Sequence, residues 1–369
     1  MQKILVRFAS AALLSALLFG LSSCYSLPKP GGAAPEFGAA RGTEWRAIHM
    51  FAPTHAELPR FCRVVTEVFA PLGINVLIVE VNYSFAFGSH PELQQGDAPM
   101  TREDARILAR ICREQGIRLI PMFNCFGHQS WAETTFPLLT CYPEFDETPD
   151  IPKSNEGIYC RSWCPRHPDL HGIVFALLDE LIEAFEADAF HVGMDEVFLI
   201  ASEQCPRCRG GDPAEIFATE VNALHGHLAG KHKLLMLMWG DRLLDTKILP
   251  YSEWEGSANG TAPAIDRIPR DIIICDWHYE HTDNLLSIPH LQEKGFRVIP
   301  ATWNNAKQSL AFRDYALAHN RGGVIGHLCC TWIGAAEMNA IFLKQGDPEK
   351  WHKDGVGAEA ALRAVMERP

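Results

Sequence analysis

The chain is short of positive charge. Its 33 Lys and Arg stand against 45 Asp and Glu, a formal net charge of −12, which argues against nucleic acid or an anionic membrane surface as a partner. Several marks of cofactor and metal chemistry are also missing. No Gly-rich phosphate loop follows the first apolar run, and the His residues lack the paired spacing of a known metal site. The first absence weighs against a doubly wound nucleotide fold and the second against a metal-dependent hydrolase. After residue 42 there is no second membrane-length apolar run, no block of like charge and no low-complexity insert. No cofactor is expected.

The first residues have an identity of their own. Lys3 and Arg7 precede a run over 8–21 that is apolar or small throughout, followed by Leu21-Ser22-Ser23-Cys24. A short basic region, a short apolar region and small residues before a cleavage point describe an export signal rather than a membrane span. The Cys after two small residues resembles the bacterial lipobox, whose Cys becomes the lipidated first residue of the mature protein. Tyr25 follows it, not Asp, so the inner-membrane retention signal is absent. The expected organisation is a signal peptide at 1–23, a Pro-, Gly- and Ala-rich tether at 24–42 beginning on a lipidated Cys24, and one folded domain at 43–369. The protein is then expected to be exported and lipid-anchored to the bacterial envelope, at the outer membrane or cell surface.

Of twelve Cys, Cys24 is assigned to the anchor, which leaves an odd number. Cys62, Cys112, Cys125, Cys275, Cys329 and Cys330 sit in apolar surroundings and read as buried thiols. Cys205-Pro-Arg-Cys208 differs, because CxxC is either a redox pair or half of a metal site. Cys160 and Cys164 could supply the other half of a structural zinc site, and a disulfide from Cys164 to this pair is an equal alternative in an oxidising compartment. Neither reading makes the CxxC catalytic.

From residue 42 onward, short apolar runs alternate with helical patterns. The runs fall at 47–50, 75–81, 118–123, 189–193, 234–239, 271–276, 296–301 and 323–328, each long enough for a strand buried on both faces. Residues 101–115 open with Thr-Arg-Glu-Asp, a capping box, and stop at Gly116. Helical stretches at 168–187 and 212–230 likewise carry Pro or Asp near the first turn. Eight such units over about 325 residues predict an α/β fold, a (β/α)8 TIM barrel in a single domain. The stretch 244–270 shows the weakest pattern.

Active sites of such barrels lie at the C-terminal ends of the strands. The fourth run ends His191-Val-Gly-Met-Asp195-Glu196. A buried strand that runs into Gly and two acids is costly unless the acids face a pocket, although two solvated acids at a strand end are common. Like charges this close push each other's proton affinities apart, which acid-catalysed cleavage of a glycosidic bond requires. Around them, strand one carries Arg46 and His49, and strand two ends at Glu80. Strand three runs into His128, strand five ends Trp239-Gly-Asp241, and strand six ends Trp277-His-Tyr279. Trp303 and Trp332 follow strands seven and eight. Aromatic faces with hydrogen-bonding neighbours suit a sugar. The loop of about 40 residues after strand three has the length of a lid or binding element.

These residues resemble glycoside hydrolase family 20, the β-N-acetylhexosaminidases, over about 45–332. His191-Val-Gly-Met-Asp-Glu196 is similar to the family's His-x-Gly-Gly-Asp-Glu signature, and Leu119 to His128 to its Ile-Pro…Gly-His segment. Trp239-Gly-Asp241 and Trp332 resemble its aromatic positions on strands five and eight. The closer likeness is to the hexosaminidase D-like branch, which carries Phe-Gly-His, replaces the second Gly of the signature and lacks the separate α+β domain. The resemblance implies exo-acting, retaining removal of terminal β-linked N-acetylhexosamine from a glycan, with the substrate's 2-acetamido oxygen as nucleophile and an oxazolinium intermediate. Glu196 would be the general acid and then base, and Asp195 the carboxylate that orients the acetamide. His191 and His128 would support both acids by hydrogen bonds. Trp239, Trp277 and Trp332 would wall the acetamide pocket, with Tyr279 as donor to its carbonyl. Arg46, His49, Glu80, Asp241 and Trp303 would be further substrate contacts.

The sequence departs from the family pattern in three places. Met194 replaces a Gly, strand one reads His-Met-Phe-Ala-Pro without the usual Asp, and the CxxC is an addition. Alternatives are a non-catalytic glycan-binding barrel or another carbohydrate-active barrel of the family 18 type. The latter spreads acids along strand four, where Phe190, Val192 and Met194 offer none.

Overall fold

The computed structural model describes residues 44–280 and 283–367. The expected signal segment, Cys24 and the tether lie outside the described residues. Eight parallel strands close into a barrel. They are β1 (Trp45–Phe51), β2 (Val76–Glu80), β3 (Arg118–Cys125), β4 (Ala189–Gly193), β5 (Leu235–Trp239), β6 (Ile273–Trp277), β7 (Arg297–Thr302) and β8 (Gly326–Cys329). Each pairs with its sequence neighbour, and β8 closes onto β1 with Trp45 opposite Gly326.

Side-chain alternation sorts the strands into two cores. Trp45, Ala47, Ile78, Met122, Leu237 and Ile299 fill the barrel interior. Ile48, Leu77, Val79, Phe190, Met236 and Met238 point outward under the helices. The helix Arg102–Glu114 begins as expected: Thr101 Oγ1 accepts from the Asp104 N–H at 3.1 Å, and Asp104 answers to the Thr101 N–H at 2.9 Å. Helices Leu170–Ala184 and Pro213–His225 follow the next expected stretches, the second capped by Asp212. The weakly patterned 244–270 region holds no α-helix. Its crossover from β5 to β6 is built from turns and the 3₁₀ segment Ala262–Asp266.

The long segment after β3 is a compact structure of its own. It contains a small hairpin, Ser130–Trp131 with Thr134–Thr135, and a short helix, Pro137–Cys141. Its anchor is Arg161, whose side chain has no solvent exposure. The guanidinium donates to Asn155 Oδ1 at 2.7 Å, to Asp146 Oδ2 at 2.7 Å and to the carbonyls of Thr148, Ile151 and Pro152. A buried Arg with this many acceptors fixes the irregular backbone around it, while Leu138, Leu139, Phe145 and Trp163 join the segment to the outer core.

Arg46 does not stand where a sugar ligand requires it. With Trp45 and Ala47 facing inward, alternation sends Arg46 outward, and its place is near the start of β1, at the end of the barrel opposite the strand C-termini. There it donates to the carbonyls of Gly73 at 3.0 Å and Leu72 at 2.8 Å, and also to that of Met366, tying the last helix down. Arg46→Ala should therefore lower stability by about 1–3 kcal/mol, the range for lost charged hydrogen bonds, and leave KM unchanged. Urea denaturation alongside steady-state kinetics checks this; a raised KM at unaltered stability would return Arg46 to the pocket.

Candidate active site

Asp195 and Glu196 leave β4 on a turn of unusual backbone shape. Gly193, Met194 and Glu196 have φ of +67°, +75° and +49°. Gly193 is required, because a Cβ there would meet Asn124 Oδ1 at 2.5 Å. Met194 adopts the same left-handed region at a cost of about 1–2 kcal/mol. Its side chain is fully buried in the outer core, and a buried Met contributes about 1.5–3 kcal/mol, enough to offset that strain. Beside it, the β3–β4 register slips between Met122 and Cys125, a bulge of the kind that re-aims side chains at active sites.

One imidazole joins the two acids. His128 Nε2 lies 3.2 Å from Asp195 Oδ2 and 3.1 Å from Glu196 Oε2, and the three groups present atoms within 4.8 Å of one another. Gly127 makes the approach possible, since a Cβ there would sit 2.7 Å from the Asp195 carbonyl oxygen. Burial alone would lower the His128 pKa, but Asp195 and Glu196 outweigh it and hold the ring well above 6.5. Burial likewise pushes Asp195 up, and His128 overcomes this, leaving its carboxyl below the ordinary 3.8. At neutral pH the cluster holds an imidazolium beside an ionised Asp195.

The turn is clamped from two further sides. His191 Nδ1 accepts the Gly193 N–H at 3.0 Å. Burial, with His49 adding to it, lowers the His191 pKa to about 3, so the ring is neutral. His191 thus supports the backbone of the turn, and among the two histidines it is His128 that reaches the carboxylates. Asp241 Oδ2 accepts the Glu196 N–H at 2.9 Å and Arg242 Nε at 2.7 Å, while Oδ1 takes the Trp277 indole at 3.3 Å. Burial, opposed by Arg242, raises the Asp241 pKa to about 6. Asp241 thus positions the acid pair, and its Oδ1 holds only the long indole contact. Glu80 is similarly occupied, by His49 Nε2 at 2.9 Å, Asn82 at 2.8 Å and Asn124 at 2.9 Å. Both residues, expected as hydroxyl contacts, also hold the frame of the site.

The expected aromatic residues do come together. Trp239 is fully buried between His191, at 4.7 Å, and Trp332, at 5.8 Å, and its indole N–H has no partner. Trp332 also lies 4.4 Å from the ring of His49. Tyr279 packs on Trp277 at 5.1 Å, and its hydroxyl accepts the Trp332 N–H at 2.8 Å. Its own proton faces the sulfur of Cys330. Trp303 stands one row back, its ring 5.6 Å from Tyr279 and its N–H on the Thr331 carbonyl at 2.9 Å.

Sequence reasoning missed a second aromatic group on the other side of the acids. Tyr159 touches Glu196 through its hydroxyl and stacks edge-on with Trp131 at 5.4 Å, Trp254 at 4.9 Å and Phe198 at 5.8 Å. Trp131 and Trp254 are 54% and 43% exposed, which makes this an accessible apolar rim. These residues sit deep within long loops, where strand-end spacing gives no signal. Cys160, next to Tyr159, donates through its thiol to the Glu196 carbonyl at 3.5 Å. It therefore belongs to the acid pair's surroundings and stands apart from Cys164, Cys205 and Cys208, which meet one another elsewhere.

Comparison with known proteins places the chain in a family and a fold. The glycosyl hydrolase family 20 catalytic domain matches residues 81–335. A β-hexosaminidase of Akkermansia muciniphila is 27% identical over 110 residues, 30% of this chain and 22% of that protein. Among solved structures, the chitobiase of Flavobacterium johnsoniae superimposes with a TM-score of 0.59 at 18% identity, over 88% of this chain and 50% of that one. The β-N-acetylhexosaminidase of Bacteroides fragilis gives 0.62 at 14% identity, over 88% and 66%. These structural likenesses show a shared fold, and this chain spans about half to two-thirds of the two solved chains.

His128→Gln should raise the Asp195 pKa, because burial would then act without a neighbouring cation to oppose it. A carbon-13 NMR titration of the Asp195 carboxyl should show its midpoint move from below the usual carboxylate range to above it. An unmoved midpoint would mean that His128 does not hold the charge on Asp195.

Proposed function

The chain belongs to glycosyl hydrolase family 20, and from that premise we propose that it is an exo-acting, retaining hydrolase of terminal β-linked N-acetylhexosamine. The observation that carries the reading is the side-by-side placement of the two acids on one imidazole. Retaining enzymes that supply their own nucleophile set two carboxyls about 5–5.5 Å apart across the sugar. Adjacent residues joined through His128 do not flank a sugar ring in that way, which fits the family's use of the substrate's own acetamide oxygen as nucleophile.

Glu196 in its acid form donates its proton to the glycosidic oxygen as the C1–O bond breaks. The 2-acetamido carbonyl oxygen bonds to C1, and the resulting oxazolinium carries the positive charge. Asp195, kept ionised by His128, accepts the acetamide N–H and stabilises that charge. Glu196, now a carboxylate, takes a proton from water as the water oxygen attacks C1 and reopens the ring. Two inversions give net retention. Trp239, Trp277 and Trp332 suit the acetamide methyl, and the Tyr279 hydroxyl, once turned from the Cys330 sulfur, suits its carbonyl oxygen. The rim of Trp131, Tyr159 and Trp254, on the Glu196 side, suits the leaving sugar or its carrier.

Glu196→Gln should lower kcat/KM about 10²–10⁴-fold on a natural-type glycoside. The loss should be much smaller on an aryl N-acetyl-β-glucosaminide whose phenol leaves without protonation. An equal loss on both would remove Glu196 from the acid role, and an aryl glycoside without the 2-acetamido group turned over as fast as its parent would overturn substrate assistance. A chain that binds the sugar without turnover would be a glycan-binding barrel instead.

We also propose that the chain is exported and lipid-anchored through Cys24, a reading supported by the basic, apolar and small-residue pattern before it. Cys24→Ser should move the protein from the detergent phase to the aqueous phase on cloud-point partitioning. Identical partitioning of both forms would remove the anchor.

A further inference from the structure

We propose that Cys164, Cys205, Cys208 and Glu147 form a structural zinc site that staples the loop after β3 to the loop after β4. The three sulfurs and one carboxylate oxygen present atoms within 4.8 Å of one another, and all four residues are buried. Cys164 Sγ stands 3.4 Å from Cys205 Sγ and 3.5 Å from Cys208 Sγ. Ligands of a tetrahedral zinc with Zn–S near 2.3 Å stand about 3.8 Å apart, so these sulfurs need to open only slightly.

The carboxylate supplies an independent sign. Glu147 has no exposed surface, and one of its oxygens, Oε1, accepts the Ser202 N–H at 2.9 Å. The other, Oε2, is buried with no hydrogen-bond partner, and the thiols of Cys205 and Cys208 are the groups beside the carboxylate. A buried carboxylate facing thiols is costly, and burying a cation among them removes that cost. The backbone also prepares the sulfurs. The N–H of Arg166 points at Cys164 and that of Arg207 at Cys205, the two-residues-on pattern that stabilises a coordinated thiolate. A disulfide joins only two of the three sulfurs and leaves the third beside an unsatisfied carboxylate. Zinc uses all four groups and releases the thiol protons on binding.

The site ties two loops that serve the acid pair. Glu147 and Cys164 belong to the segment that carries His128, Trp131 and Tyr159, and Cys205 and Cys208 follow Asp195 and Glu196 within one loop. Its readout is metal content, which is independent of any activity.

The untagged chain, produced with zinc in the medium and purified without chelator, should contain about one zinc per chain by mass spectrometry of the elements. Cobalt in its place should give thiolate-to-metal charge-transfer bands and the intense visible bands of a tetrahedral centre. Glu147→Gln, which keeps the side chain's shape, should weaken zinc affinity about 10-fold or more and shift the cobalt visible bands. The proposal is overturned if the wild-type chain stays free of metal, both as purified and after reduction and incubation with zinc. It is equally overturned if peptide mapping of the unreduced protein finds a disulfide among the three thiols. Neither outcome depends on a variant folding.

Discussion

The interaction on which the site depends is the one between the His128 imidazolium and two adjacent carboxylates. Asp195 and Glu196 are neighbours in sequence, on a turn whose residues point both side chains toward one pocket. Without a cation, two half-buried acids this close would share one charge, and which of them kept its proton would be left to small differences in solvation. His128 holds Asp195 below its ordinary pKa against the pull of burial. The chemistry proposed above needs an ionised Asp195, because this acid must orient and stabilise a developing positive charge.

Around that cluster, most polar side chains that look like ligands in the sequence serve as frame. Asp241 holds the backbone of Glu196, His191 holds that of Gly193, and Glu80 collects His49, Asn82 and Asn124. Their burial makes free hydrogen-bonding capacity expensive to maintain, so it is used within the protein. Among the described residues, the buried atoms around the pair that lack a hydrogen-bond partner include the Trp239 indole N–H, Asp195 Oδ1, Asn124 Oδ1, His49 Nδ1 and His191 Nε2. An N-acetyl group offers one carbonyl oxygen and one N–H, for which the Trp239 indole and Asp195 Oδ1 are a complementary donor and acceptor.

The barrel was largely legible in the sequence because its strands are buried on both faces and alternate with helices, of which Arg102–Glu114 and Pro213–His225 carry side-chain caps. The acid pair was legible for the same reason, at the end of an unmistakable run. Arg46 was misplaced because strand-end reasoning counts residues and ignores parity: one position from Ala47, its side chain leaves by the opposite face. The 244–270 crossover showed no helical period because it forms none. Trp131, Tyr159 and Trp254 were invisible because their neighbourhood is created by the fold of two irregular loops, one held by the buried Arg161 and the other by Arg242, which donates to the carbonyls of Glu253, Trp254 and Gly256.

Met194 shows how much constraint the turn carries. A Gly at this position would adopt its φ of +75° without strain, yet it would leave a gap in the outer core where the Met side chain now packs. Substituting a large buried side chain by a small one costs about 2–5 kcal/mol, against about 1–2 kcal/mol of backbone strain, so here packing outweighs conformation. The strain is held by three independent clamps, His128, His191 and Asp241, each from a different strand or loop. Because the clamps fix the backbone of Gly193 and Glu196 and, through His128, the two carboxylates, the turn can carry Met at 194 and still present Asp195 and Glu196 to the pocket.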